Sequence, residues 1–172
     1  MKNYKYDLYW EKERATNIFQ VKRRFGKTVE TISIFYKKQP TYNPQMLKHN
    51  GKLVSNKIKD GKLGKLIDNN EKKPFNYKDN GLRYPTQILK FKRDILTCNL
   101  HPTQKPVELL EYLIKTYTNE CDTVLDNCMG SGSTGIACLN TKRNFIGIEK
   151  DEHYFQVAQD RIENHIIPLD KI

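Results

Sequence analysis

The sequence predicts an α/β protein centred on a βαβ nucleotide-binding unit, and three observations carry that prediction. Thr123-Val124-Leu125-Asp126 is a short apolar strand that ends in an acid. Gly130 to Asn140 is a Gly-rich turn running into a helix. Asn144-Phe145-Ile146-Gly147-Ile148-Glu149 is a second short strand, and it also ends in an acid. Strand, Gly-rich turn, helix, strand and acid, in that order, make a unit that holds a nucleotide where the turn meets the helix.

The elements fall into three stretches. Residues 1–44 hold two strands, the alternating aromatic run Tyr4-Lys5-Tyr6-Asp7-Leu8-Tyr9-Trp10 and the β-branched run Thr28 to Tyr36. Between them, Arg23-Arg24-Phe25-Gly26-Lys27 is a basic loop. Pro40 and Pro44 end the second strand and open an irregular segment. Residues 45–100 are rich in Lys, Asn, Asp and Gly, and Lys48 to Lys73 shows no lasting periodicity. Such composition reads as a loop or a loosely ordered insert. Apolar residues return from Arg83 to Phe91, where order should resume. Residues 101–172 begin with a helical period over Val107 to Ile114, with Pro106 suited to its first turn. They continue through the βαβ unit and end in a helix from Glu152 to Asn164.

Composition narrows the setting. A chain of 172 residues is about one domain. A mean hydropathy of −0.76 is polar for a compact domain, which again points to a solvated insert. The net charge of +10 is the footprint of a polyanion partner, and nucleic acid is the commonest. Cys98, Cys121, Cys128 and Cys138 form no Cys-x-x-Cys pair, so they read as reduced thiols packed as small hydrophobes. No apolar run reaches the ~18 residues of a membrane span. The N-terminus is too polar for a signal peptide, and a cytoplasmic protein is expected.

Gly130-Ser131-Gly132-Ser133-Thr134-Gly135 fits G-x-G-x-x-G, whose glycines let the backbone turn tightly and approach a ligand. Glu149, at the end of the next strand, can accept bonds from both hydroxyls of a ribose. A plain reading is a tight strand–helix turn beside a solvated glutamate. A nicotinamide dinucleotide, and so an oxidoreductase, is the competing cofactor reading. Against it, Asp126 and three further residues stand between the strand and the first glycine. An acid there can receive an amino group, which suits a cofactor with a free amino acid moiety.

The run His101-Pro102-Thr103-Gln104-Lys105-Pro106-Val107-Glu108-Leu109-Leu110, followed by Val124 to Gly135 and then Phe145 to Glu149, resembles the beta group of DNA amino-methyltransferases. These enzymes methylate adenine N6 or cytosine N4 in DNA methylation and restriction–modification. The likeness extends to Lys5 to Lys12, to Phe35 to Pro44 and to Arg83-Tyr84-Pro85, and is weakest between Met46 and Asn80. It implies an incomplete Rossmann-like methyltransferase fold with a mixed sheet and an inserted, loop-rich target-recognition region at residues 45–100. It further implies S-adenosylmethionine as cofactor and double-stranded DNA as partner. Thr103, Lys105 and Pro106 would hold the methionine end. Asp126, Gly130, Gly132, Ser133 and Thr134 would line the middle, and Glu149 would bind the ribose.

The chain also departs from the family. Asn127-Cys128 replaces the usual Pro-Phe, which removes an aromatic that packs beside the cofactor. Val29 replaces the His of a frequent His-Glu pair. The catalytic tetrapeptide, Asp or Ser followed by Pro-Pro-Tyr, is absent, because no two prolines are adjacent. Its acid or amide oxygen and backbone carbonyl accept the hydrogens of the base amine, and its Tyr stacks on the flipped base. No catalytic residue is therefore assigned. In the family's sheet, strands 6 and 7 are separated from strands 1 and 2 by strands 4 and 5. The chain is expected to keep only the two outer pairs, and so, alone, to be unstable, to be rearranged, or to be completed by a complementing chain that carries the missing strands. The expected function is a site-specific DNA methyltransferase, adenine N6 ahead of cytosine N4, as a truncated or split chain. A non-catalytic cofactor- or DNA-binding remnant is the alternative.

Overall fold

In the computed structural model, residues 2–49, 51, 55–58, 75–78, 80–94 and 103–167 are described. The strands are β1 (Tyr4–Glu11), β2 (Val29–Phe35), β3 (Leu47–Lys48), β4 (Ser55–Ile58), β5 (Phe75–Lys78), β6 (Leu82–Arg83), β7 (Ile88–Lys90), β8 (Thr123–Asp126) and β9 (Asn144–Gly147). The helices are α1 (Val107–Tyr117), α2 (Ser133–Asn140) and α3 (Glu152–Glu163), with one 3-10 turn at Ile18–Gln20. The chain divides into two compact units, Met1–Gln45 with Thr86–Ile172, and Met46–Pro85.

In the first unit, alternation and β-branching make β1 and β2 an antiparallel pair, with Trp10 opposite Glu30. On the other side of β1 lies β7, parallel to it, so the sheet runs β2-β1-β7 and is mixed. This strand falls inside the stretch whose composition predicts an insert. Three residues are too short to show a period, yet Leu89 is buried against Trp10. Parallel pairing of β8 with β9 sets Asp126 beside Gly147. Among the described residues these two sheets share no ladder. The open faces leave Leu125 61% and Ile146 53% exposed.

Helix α1 joins the two sheets. Leu109, Tyr112 and Leu113 pack with Trp10, Leu89 and Phe91, while Val107, Leu110 and Ile114 pack with Ala137, Cys138, Val124 and Phe145. Full burial of a residue such as Leu109 stabilises by about 1.5–3 kcal/mol. The indole Nε1 of Trp10 donates to the Phe91 carbonyl at 2.9 Å. Pro106 caps α1 rather than filling its first turn, and the Val107 N–H donates to Asp94 Oδ2 at 3.0 Å. At the other end Asn43 Nδ2 reaches the carbonyls of Thr118 at 3.0 Å and Lys115 at 3.3 Å. Those are carbonyls a helix end leaves without partners.

The second unit contains two antiparallel pairs. In one, β3 pairs with β6, Leu47 opposite Arg83. In the other, β4 pairs with β5, Ser55 opposite Lys78. Among the described residues no helix is long and apolar enough to cross a membrane.

Candidate functional site

The site grows from the turn between β8 and α2. Gly130 (φ 53°) and Gly132 (φ 75°) take left-handed conformations that a side chain disfavours. A Cβ on Gly132 would also lie 3.0 Å from Ala158 Cβ and 3.2 Å from its Cα, so α3 can pass close by only because glycine is there. Asp126 ties strand to turn to helix. Its Oδ1 accepts from the Cys128 N–H at 3.1 Å and its Oδ2 from the Thr134 hydroxyl at 2.6 Å. Glu149 grips the same turn from β9's end. Its Oε2 accepts from Gly130 N at 2.8 Å, and its Oε1 accepts from Lys150 N and Asp151 N at 2.9 and 3.0 Å.

Thr103, Lys105, Asp126, Gly130, Ser133 and Thr134 line one cavity of about 300 Å³, together with Gln104, Leu110, Cys128, Met129 and Ser131. The other residues expected there are not among those that line it, and adjoin residues that do. Pro106 caps α1, Gly132 caps α2, and Glu149 holds Gly130. His101 and Pro102, the start of the sequence motif, lie outside the described residues. The cavity joins an acid, a base and a glycine turn whose backbone is open to a ligand. That donor set can hold a zwitterionic group and a sugar.

A family model described as DNA methylase matches residues 2–160. The chain belongs to the DNA methylase family. It is 31% identical over 149 residues to the DNA adenine methyltransferase YhdJ of Escherichia coli (strain K12), covering 84% of this chain and 48% of that protein. It is 45% identical over 71 residues to the type II methyltransferase M.BglI of Bacillus subtilis, covering 41% of this chain and 20% of that one. Among solved structures, the M1.HpyAVI–SAM complex matches with a TM-score of 0.56 at 34% identity, over 92% of this chain and 62% of that chain. The PvuII cytosine-N4-specific DNA methyltransferase matches with a TM-score of 0.61 at 19% identity, over 96% and 53%, a likeness of fold. The methylase chain thus spans about half the length of YhdJ and a smaller part of M.BglI.

Side chains given no role from the sequence also shape the methylase cavity, and one of them, Arg161, lies outside every motif. Arg161 on α3 donates through Nη1 to Ser131 O at 3.0 Å and to Ser133 Oγ at 3.1 Å. Ser131 Oγ in turn donates to Gln104 Oε1 at 3.2 Å. One signal was present: Ala158, Arg161 and Ile162 have the i, i+3, i+4 spacing of one helix face. Glu30 on β2 bridges two lysines, Lys12 at 3.0 Å and Lys105 at 3.2 Å. The Lys12 side chain is only 1% exposed, and it also donates to Thr16 Oγ1 at 3.2 Å.

Partial burial raises the Glu30 pKa, but hydrogen bonds from Lys12 and Lys105 outweigh it and hold the carboxyl below its usual 4.5. A depressed carboxylate pKa stabilises the fold above that usual value, and the contribution is lost as pH falls through the folded pKa. Burial pushes the Cys138 thiol up to about 11, so this cysteine packs rather than reacts.

Proposed function

We propose that this methylase chain binds S-adenosylmethionine in the 300 Å³ cavity and serves a site-specific DNA amino-methyltransferase, adenine N6 ahead of cytosine N4. The observation that carries the reading is the convergence of Asp126, Lys105 and the Gly130 turn on one cavity. A dinucleotide offers no free ammonium for Asp126, whereas the methionine end of S-adenosylmethionine has both an ammonium and a carboxylate. Asp126 and Lys105 carry the complementary charges. Glu149 accepts from the N–H groups of Gly130, Lys150 and Asp151, which fixes its carboxylate at the end of the strand, where a ribose hydroxyl would be received. Gly130 and Gly132 let the turn take the left-handed conformations that shape it. The cofactor, when bound, supplies an electrophilic methyl group.

The net charge of +10 supports a DNA substrate, and the likeness to an adenine methyltransferase over 84% of the chain supports the N6 position. With no Pro-Pro pair in the sequence, transfer draws its base-holding motif from polypeptide outside these residues. The edges of β2 and β8, open among the described residues, suit strands from that polypeptide, and Lys-rich residues 45–100 suit target recognition. A cofactor- or DNA-binding module without transfer is the second reading, favoured by the same missing prolines.

Calorimetric titration with S-adenosylmethionine tests the first step. Binding that S-adenosylhomocysteine displaces and NAD does not is expected, and Asp126→Ala should weaken it by about tenfold, or 1.4 kcal/mol. Absence of S-adenosylmethionine binding would overturn the reading. Tritium transferred from the cofactor to duplex DNA then separates the enzyme from the binding module.

A further inference from the structure

We propose that the loop joining β1 to β2, residues 13–28, is a DNA-contacting element of its own, separate from residues 45–100, which lays Phe19 and Phe25 against bases. Phe19 is 102% and Phe25 99% exposed. Ile18 and Val21 beside them are exposed too. A buried Phe stabilises a fold by about 1.5–3 kcal/mol, and this loop forgoes that twice. Clustered apolar side chains left in water usually mark a binding surface.

The loop is not a frayed connection. Its base is closed by Lys12 N donating to Thr28 O at 2.7 Å and Thr16 N donating to Lys27 O at 3.1 Å. Across its middle, Asn17 Nδ2 donates to Phe25 O at 3.1 Å, and Lys27 N donates to Asn17 Oδ1 at 2.5 Å. The 3-10 turn at Ile18–Gln20 sits between these clamps. The backbone is held, and the rings are directed outwards.

Charge identifies the occupant. The loop carries Arg14, Lys22, Arg23, Arg24 and Lys27 against a single acid, Glu13, and all of them are exposed. An apolar protein partner would find five cations to desolvate beside the two rings. Nucleic acid instead offers phosphates to the cations and π-faces to the rings. Side chains such as Phe also wedge between base steps where a duplex is opened.

The base of the loop is linked to the cavity wall. Lys12 at its entrance and Glu30 just past its exit are ion-paired at 3.0 Å. Glu30 reaches Lys105 of the cavity wall at 3.2 Å. DNA presented to a cofactor in that cavity would pass the side of the protein from which the loop springs. This siting rests on the proposed cofactor reading, while the contact itself does not.

The test is fluorescence anisotropy of a labelled mixed-sequence DNA duplex titrated with the full chain over a range of salt. Arg23→Ala with Arg24→Ala should flatten the slope of log K against log salt by about 2, near 0.9 per lost phosphate contact. Phe19→Ala with Phe25→Ala should keep the slope and weaken binding about tenfold or more, since stacking contributes about 1–3 kcal/mol per base. Phe19→Trp should be quenched by the duplex. Unchanged melting temperatures show that the variants fold. Wild-type DNA affinity in the Phe variants, or no DNA binding by the parent chain, overturns the proposal. Phe variants that lose only self-association overturn it too, assigning the rings to a protein interface. If the loop variants lose DNA while S-adenosylmethionine fails to bind, the loop proposal stands and the cofactor reading falls. If S-adenosylmethionine binds while the loop variants keep their DNA affinity, the cofactor reading stands and the loop proposal falls.

Discussion

Arg161 illustrates how a single side chain can complete a binding turn from a distant element. Its guanidinium spans Ser131 and Ser133, and Ser131 passes the contact on to Gln104 beside Lys105. The turn, the segment before α1 and helix α3 are thereby fixed to one another. Arg161→Ala should weaken S-adenosylmethionine binding about tenfold, equivalent to 1.4 kcal/mol. Arg161→Lys should recover part, because one nitrogen, Nη1, makes both contacts and an ammonium carries three donors, on a stem that ends short of the guanidinium's reach. Calorimetry with a melting control checks this, and equal affinity in all three proteins would confine Arg161 to anchoring α3. Asp126, Gly130 and Glu149 were readable because strand ends and glycine turns leave local marks in a sequence. Arg161 and Glu30 act across long separations, and their partners can be named only once the chain is folded.

Among the elements, α1 depends most on residues outside itself. Asn43, in the segment after β2, supplies side-chain and backbone donors to the helix's last carbonyls, Asn43 N to Thr116 O at 2.8 Å among them. Asn43→Ala removes the side-chain donors, and should cost about 1 kcal/mol. In a protein of this size that lowers the melting temperature by about 2–4 °C. Asn43→Asp should cost more, since a carboxylate would face the negative end of the helix dipole. Thermal unfolding followed by circular dichroism reads both, and equal melting points would deny Asn43 a capping role. The long elements were legible: β1, β2 and the helices announce themselves by period and by Gly and Pro. What stayed hidden was β7, whose three residues gain their place from Trp10 and Leu109 rather than from any pattern of their own.

For the whole molecule, the decisive feature is that, among the described residues, β2-β1-β7 and β8-β9 are separate sheets. Unpaired strand edges and half-exposed residues such as Leu125 invite pairing by further strands. Polypeptide carrying the family's intervening strands should therefore raise the melting temperature and reduce the binding of a hydrophobic dye. At a hundredfold excess over its dissociation constant the gain is about 2.7 kcal/mol. An unchanged melting curve with such a segment present would remove the case for completion from outside. The sequence anticipated the β1–β2 and β8–β9 pairs, because each is built from neighbouring segments. It did not reveal how the chain re-enters the first unit after Met46–Pro85. That unit leaves just after Asn43, which is fastened to α1, and the chain returns through β7, which is fastened to β1. Both doorways are thus built from the core itself, and lengthening what lies between adds only slowly to the entropy of closure. The second unit can therefore vary in length at small entropic cost while the Gly turn, Asp126 and Glu149 keep their places.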